Sequence, residues 1–533
     1  MATTMTNPAI AADLTQGGKD TVSFKTWICV TGVLLGCFMA VLDIIVTNSS
    51  LRDIAGTLAA SSDEISWVPT SYLVAEIVVI SLTSWLSAVF SLKRYLLVNS
   101  ILFICFSVCC GQARSLSFMI LFRVLQGFTG GVLIPLSFDV ILTYLPSSKR
   151  AIGMAMFTIT ATFAPALGPL LGGWLTDNYG WPFIFYVNGI PGILLVTAVW
   201  FTMEQQPMNL ALLKRGDWWG ILTMAIGLAA FEIVLEDGNR KDWFGDPGIV
   251  TLAWIAAIFI PAFIIIELRQ KEPLVDLRLF ARRNFGLGSI VNLALGMGLY
   301  GVVFILPSYL GQMHGYDATQ IGSVIIWLGL PQLAVIPLIP KLMKYVDPRI
   351  IIGVGILLFG GSTFLDIHLN SNFAGPQFYI PLIIRAVGQP LIMAPLSAVT
   401  TAGMAEGRES GAASSLFNMM RNIGGSIGIA GLSTLLSVRE RFHSERIGES
   451  VTVYSGAVQE RMQHSVAFFG TQGSDPYSAA MRAIGAIGVA VRRQAFLLAY
   501  SDCFLILGCV LLASAAALFF MKKATISGPV GGH

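Results

Sequence analysis

Ionisable side chains stand singly inside long apolar stretches of this chain: Asp43, Glu76, Arg123, Asp139, Glu232, Asp366, Arg385 and Arg421. A charge at the middle of a bilayer costs about 3 kcal/mol on insertion scales, so such residues face a protein interior or a water-lined cavity. The chemistry open to them is proton uptake and release by a carboxyl, with charge compensation by an arginine. Asp43 has Thr47 one turn away on the same face. Desolvation and a nearby cation act on a buried carboxyl in opposite senses, and a carboxyl balanced between them can bind and release a proton. The plainer role for Asp43 is a hydrogen-bond anchor. Arg123, Gln126, Gly127, Gly130 and Gly131 recur at i, i+3, i+4, i+7 and i+8, one helical stripe with its polar end at Arg123. That arginine either modulates a nearby acid from a central cavity or ties down backbone carbonyls. Glu76 and Glu232 are further candidates for proton relay or cation attraction. Asp139 lies about 160° around the helix from Arg123, so the two are not expected on one face. Asp366 and Glu236, near outer span ends, and Glu267, at an inner one, are expected to be solvated.

The elements carrying these residues are membrane helices. The chain has 533 residues, 55% of them hydrophobic and 12% charged, against about 25% charged in an average soluble domain. Its mean hydropathy is +0.73. Fourteen apolar stretches can cross about 30 Å of hydrocarbon at about 1.5 Å per residue. They fall at 27–50, 67–90, 95–113, 117–144, 151–175, 182–203, 219–236, 249–267, 286–311, 322–342, 350–369, 378–402, 411–436 and 496–521. Short cytoplasmic loops retain Lys and Arg. With the N-terminus inside, the inner loops collect Lys93, Arg94, Lys149, Arg150, Lys214, Arg215, Arg282 and Arg283, whereas the short outer loops hold only Arg52, Arg114, Arg240 and Lys241. Both termini are therefore predicted cytoplasmic. The first 26 residues are polar and the first span exceeds a signal-peptide core, so it reads as an uncleaved anchor.

Span 5 contains Ala-Pro-Ala-Leu-Gly-Pro-Leu-Leu-Gly-Gly from Ala164 to Gly173. Two such prolines would break a helix in water, but neighbouring membrane helices re-satisfy the freed carbonyls. Pro165, Gly168, Pro169 and Gly172 share one face almost free of side chains, which another helix can approach closely. An internal repeat is also visible. Span 4 has Arg123-Val124-Leu125-Gln126-Gly127 and then Pro135-Leu136-Ser137; span 12 has Arg385-Ala386-Val387-Gly388-Gln389 and then Pro395-Leu396-Ser397. The expected class is an all-α integral membrane protein of 14 transmembrane helices. A cytoplasmic tail (1–26) precedes a six-helix bundle (27–204), a two-helix insert of spans 7 and 8 (205–285) and a second six-helix bundle (286–521). The second bundle includes a long outer loop (437–495), and a cytoplasmic tail (522–533) follows. Repeated halves in a membrane protein argue for alternating access around a site at their interface.

The chain resembles the major facilitator superfamily, specifically its fourteen-span drug:proton antiporters. The resemblance rests on Leu42-Asp43-Ile44-Ile45-Val46-Thr47-Asn48 against the first-span motif LDxTIVN, on Arg123 to Gly131 against RxxQGxxxG, and on the GPxxGG part of the antiporter motif in span 5. Trp181 to Gly192, Glu236-Asp237-Gly238 to Trp243-Phe244, and Pro273 to Phe280 match as well. One departure is clear: the segment Ser84 to Lys93 lacks both glycines and the acid of the family's GxLaDrxGrk loop, with Ala88 where the acid stands. The resemblance implies a proton-driven exporter of hydrophobic or amphipathic toxic compounds in a bacterial inner membrane, an antiporter and not an enzyme. It also implies the proton as coupling ion with no other cofactor. A periplasmic adaptor and an outer-membrane channel are the implied partners, with the 437–495 loop as a docking element or a lid. A proton symporter, a dedicated metabolite exporter and a nontransporting receptor or scaffold are the alternatives.

For substrate, the candidate cavity residues are Gln126, Asp139, Arg385, Asn418 and Arg421 with the aromatics Tyr72, Phe304, Tyr309, Trp327 and Phe417, which would suit flat hydrophobic compounds or serve only as packing. Other chemistry finds little support. Gly296-Met297-Gly298-Leu299-Tyr300-Gly301 fits GxGxxG, but it lies mid-span with no strand before it and reads as a helix-packing face. No P-loop is present, the five histidines show no metal-ligand spacing, and the seven cysteines in or beside spans read as apolar filler.

Overall fold

The computed structural model describes residues 22–523, apart from 215, 271, 272, 274, 403, 405–407 and 453. Most of both expected tails, and the inner-loop Arg215, lie outside the described residues. Those described form helices and turns without a strand. The first set comprises α1 (Phe24–Ser49), α2 (Trp67–Phe90), α3 (Leu92–Gly111), α4 (Leu116–Gly130), α5 (Leu133–Tyr144), α6 (Ser147–Tyr179) and α7 (Gly189–Thr202). Next come α8 (Trp218–Gly238) and α9 (Pro247–Arg269). The second set is α10 (Arg283–His314), α11 (Ala318–Gly329), α12 (Pro348–Thr363), α13 (Tyr379–Thr401), α14 (Arg408–Ser450), α15 (Gly456–Thr471) and α16 (Pro476–Ser514). Helices α4 and α5 are two parts of one span, parted at Gly131-Val132.

Among the described residues, twelve helices are long and apolar enough to span a membrane, and α6 makes thirteen if its bent halves count as one. The expected fourteen is not reached on that measure. The stretch at 411–436 is helical, inside the 43-residue α14, but it carries Ser414, Ser415, Asn418, Arg421, Asn422 and Ser426. A helix enclosed by other helices need not be apolar all round. The parts of α6, Ile152–Pro165 and Leu167–Tyr179, meet at 44°, where a proline removes the backbone donor.

Small residues set the closest approaches. A Cβ built on Gly168 would fall 2.7 Å from Ile45 Cβ, and one on Gly172 would meet Ser49 and Val46, so the proline-glycine face of α6 receives α1. On its other side α1 meets α7 just as closely, with Gly36 against Leu195. The α4 stripe receives α2: a Cβ on Gly127 would collide with the backbone of Tyr72, and one on Gly131 would lie 2.9 Å from Glu76 Cγ. The two sets touch through α6 and α11, where a Cβ on Gly322 would lie 2.5 Å from Leu170 Cβ. They touch again through α2 and α14, where Ser81 Oγ lies 3.1 Å from Met419 Sδ.

Helices α8 and α9 pack on each other, and α8 leans against both α2 and α14. Asn239 Nδ2 donates to Ser433 Oγ at 2.7 Å, and Trp243 Nε1 donates to Thr434 Oγ1 at 3.0 Å. The insert therefore lines the seam between the sets. The 437–495 segment is largely helical: α14 runs on to Ser450, α15 follows, and α16 starts at Pro476 and continues unbroken for 39 residues. At about 1.5 Å per residue that is nearly twice the thickness of the hydrocarbon layer, so α16 projects well beyond the membrane.

Gly127→Leu is expected to cost at least about 1–3 kcal/mol through overpacking, lowering the thermal midpoint in detergent. Gly361→Ala, at a glycine with nothing within 4 Å of its built Cβ, serves as the control. Equal midpoints for the two variants would reject the close-approach account of the α4 stripe.

Candidate functional site

Asp43, six residues before the end of α1, lies inside the first helix set and is 1% exposed. Three donors converge on its carboxylate. Arg123 Nη1 reaches Oδ2 at 2.5 Å, while Gln126 Nε2 and Asn188 Nδ2 reach Oδ1 at 2.9 and 2.6 Å. Arg123 is fully buried; its Nη1 also donates to Gln126 Oε1 at 2.8 Å and its Nε to Val68 O at 3.2 Å. The guanidinium lies 4.4 Å from the Tyr72 ring centroid and 5.7 Å from that of Phe185. Ser107 Oγ receives Gln126 Nε2 at 2.7 Å and Asn188 Nδ2 at 3.2 Å. Arg123 thus pairs with an acid and binds a backbone carbonyl, fully buried within the first helix set. Thr47 does not reach the carboxylate, since its hydroxyl donates to the backbone oxygen of Asp43 at 2.7 Å.

The second set repeats the cation but not the position of its acid. Arg385 on α13 is fully buried and pairs with Asp366, just after α12. Its Nε donates to Ser362 Oγ at 3.1 Å, and its guanidinium lies 5.6 Å from the ring centroid of Phe504 on α16. Each half therefore holds a fourth-span arginine against an acid of its own half and an aromatic ring near its sixth span. The expectation that Asp366 is solvated is incorrect: it is 0% exposed, because Arg385 reaches out to it. Glu267 is likewise buried, against expectation, because the chain after α9 folds back and Val275 N donates to its Oε2 at 3.4 Å. Glu236 is half-buried rather than freely solvated.

A third polar group lies where α2, α8 and α14 meet. Glu76, Glu232 and Arg421 are all buried. Ser426 Oγ donates to Glu232 Oε1 at 2.7 Å, while Glu232 Oε2 and Arg421 Nη1 are buried without a hydrogen-bond partner. Arg421 lies 5.9 Å from the ring centroid of Phe157. Asn418 turns back onto Ser414 O at 2.9 Å.

The remaining candidates scatter. Asp139 sits half-buried on α5, beyond the Gly131-Val132 break and away from Arg123. Tyr309 is held in an aromatic cluster, donating to Phe373 O at 2.6 Å and stacking edge-on with Phe378 and Tyr500. Phe417 packs on Phe138 and Trp327 on Tyr379; Phe304 is half-buried against the core. Tyr72 covers the arginine. Gly296 and Gly298 approach Arg421, Leu511 and Phe359, so the GxGxxG stretch is a packing face. Sequence reasoning missed Ser107, Asn188, Ser362 and Ser426. Asn188 carried a signal, as the amide within the matched Trp181 to Gly192 stretch; single serines in apolar helices carry almost none.

A helical membrane protein with two similar helix sets, each locked internally by a buried arginine-aspartate pair, has the architecture of a transporter. A family model described as Major Facilitator Superfamily matches residues 33–429. The colistin resistance protein EmrB of Acinetobacter baumannii is 31% identical over 93% of this chain and 96% of its own. The multidrug export protein EmrB of Escherichia coli is 30% identical over 93% and 96%, and the fatty acid resistance protein FarB of Neisseria gonorrhoeae is 31% identical over 94% and 96%. Among solved structures, the proton:xylose symporter XylE shares the fold, with a TM-score of 0.58 at 12% identity over 93% of this chain and 95% of that one. The chain belongs to the major facilitator superfamily.

Removing one partner of a buried pair strands the other charge at a cost of about 3–5 kcal/mol. Arg123→Gln is therefore expected to unfold at markedly lower temperature than wild type, and Asp43→Asn/Arg123→Gln to recover part of the loss. Additive losses in the double variant would show that the pair is not coupled.

Proposed function

We propose that this chain exports hydrophobic or amphipathic toxic compounds across a bacterial inner membrane by alternating access, exchanging them for inward-moving protons. The observation that carries the reading is the seam. Glu76, Glu232 and Arg421 are buried where the two helix sets and the insert meet, and a scaffold with no transport cycle has no need to bear their insertion cost. The EmrB and FarB relatives, named for multidrug export, colistin resistance and fatty acid resistance, support the cargo class. The basic residues of the inner loops support cytoplasmic termini.

In this cycle the Asp43–Arg123 and Asp366–Arg385 pairs keep each half rigid while it rocks, and Gln126 and Asn188 hold the first pair in place. The α6–α11 and α2–α14 contacts are the closures that open alternately. Cargo enters between the halves, past Phe417 and Arg421. The projecting part of α14, α15 and α16 is the element that would meet a periplasmic adaptor, which in turn leads to an outer-membrane channel. A groove of about 720 Å³ beside α15, lined by Arg461, His464 and Phe468, lies on it.

Cells expressing the chain are expected to expel a fluorescent lipophilic dye, and to stop when an uncoupler collapses the proton gradient. Efflux that persists with the gradient abolished would exclude proton coupling. Deletion of 451–475 is expected to abolish crosslinking to the adaptor, and undiminished crosslinking would remove the docking role.

A further inference from the structure

We propose that Glu76 and Glu232 form one proton-sharing site across the seam, so that the two-helix insert is part of the coupling machinery and not an appendage; this rests on the export reading above. The placement follows from register. Ile77 and Ile80 of α2 pack with Met224 and Leu228 of α8 in one apolar cluster. Met224, Leu228 and Glu232 stand at i, i+4 and i+8 on α8, and Glu76 stands one turn from Ile80 on α2. In this antiparallel pair, one turn beyond the apolar contact brings the two glutamates to the same level.

Neither glutamate is paired in hydrogen-bonding geometry with a cation among the described residues, in contrast to Asp43 and Asp366. Glu232 has a single donor, Ser426 Oγ at 2.7 Å, and its Oε2 is buried and unpartnered. The charged groups around Glu76 are Glu232, Arg421, Arg123 and Asp43. The other titratable groups around the pair are Tyr72 on α2, Cys37 on α1, Tyr300 on α10 and Glu236 on α8. Two buried carboxylates with no bonded cation are accommodated at least cost when one proton is held between them.

Each member comes from a different part of the molecule: α2 from the first half, α8 from the insert, and Arg421, whose Nη1 is unpartnered, from the second half. Rocking the halves therefore moves Arg421 relative to the glutamates. With Arg421 close, the proton leaves as H⁺ to the inner water and the carboxylates are compensated by the guanidinium. With Arg421 withdrawn, one proton from the outer water returns. One O–H bond is broken and one formed per cycle, with no other reactant.

The test is proton release on adding a lipophilic dye to purified protein in weak buffer with a pH indicator, alongside pH-gradient-driven dye transport in proteoliposomes. Wild type is expected to release protons. Glu76→Gln, Glu232→Gln and the double variant are each expected to lose release and gradient-driven transport by at least about tenfold, the double being no worse than either single, as befits one shared site. Elution as a monodisperse peak and a wild-type thermal midpoint certify folding of these isosteric variants. Wild-type release by Glu232→Gln, or loss confined to Asp43→Asn, overturns the inference while leaving the export reading intact. Absence of both signals in wild type rejects the export reading itself, and the inference with it.

Discussion

A guanidinium that cannot be neutralised has to find an anion when it is taken out of water. Arg123 and Arg385 are both fully buried, and much of the surrounding helix arrangement follows from that requirement. To bring Asp43 to Arg123, α1 must enter the middle of the first set. It can do so only because Gly168 and Gly172 of α6, and Gly32 and Gly36 of α1 itself, remove the side chains that would hold the helices apart. To bring Tyr72 and the carbonyl of Val68 to the same arginine, α2 must lie against Gly127. The family motifs in spans 1, 4 and 5 are thus parts of one device: a buried ion pair and the small residues that let its partners meet.

Two kinds of fully enclosed ionisable group are separated by where their partners lie. The arginine-aspartate pairs are internal to a half, so the rocking proposed above would leave their geometry intact. The groups at the seam draw on both halves and on the insert, so the same motion changes their surroundings. Ion pairs within a rigid body confer rigidity; unsatisfied charges between rigid bodies confer sensitivity to their relative position. Burial alone does not separate the two kinds, since all are enclosed to a similar degree. The difference lies in the donors: three on Asp43 and a single serine hydroxyl on Glu232.

Helices α14 and α16 each continue beyond the membrane without a break. A motion of the second half would be transmitted directly to this projection, because a continuous helix carries rotation and tilt along its length. The capping hydrogen bonds from Ser478 and Tyr477 to Asp475 fix the N-terminal end of α16. They hold that carboxyl below its usual range, so the cap is at full strength above the carboxyl's unfolded-state value and is lost as pH falls through its folded one.

From composition, apolar length and loop charge alone came the membrane class, the positions of the spans, the repeat of Arg123 in Arg385 and the close-packing face of α6, because each depends on local spacing or on a sum over residues. The pairing of Asp43 with Arg123 was legible only as a buried acid and a buried cation that each need a partner, and the parts of Ser107 and Asn188 in it hardly at all, since isolated polar residues in apolar helices do not announce their partners. Asp366 and Glu267 look solvated in sequence because they stand near span ends; Arg385 and the folded-back Val275 enclose them, a matter of side-chain reach and loop path. Likewise α14 escapes an apolar-span criterion, since its polar face is covered by neighbours. Local spacing determined which residues share a helix face. Which face meets which was decided by packing, because burial of a charge is settled by groups far away in the chain.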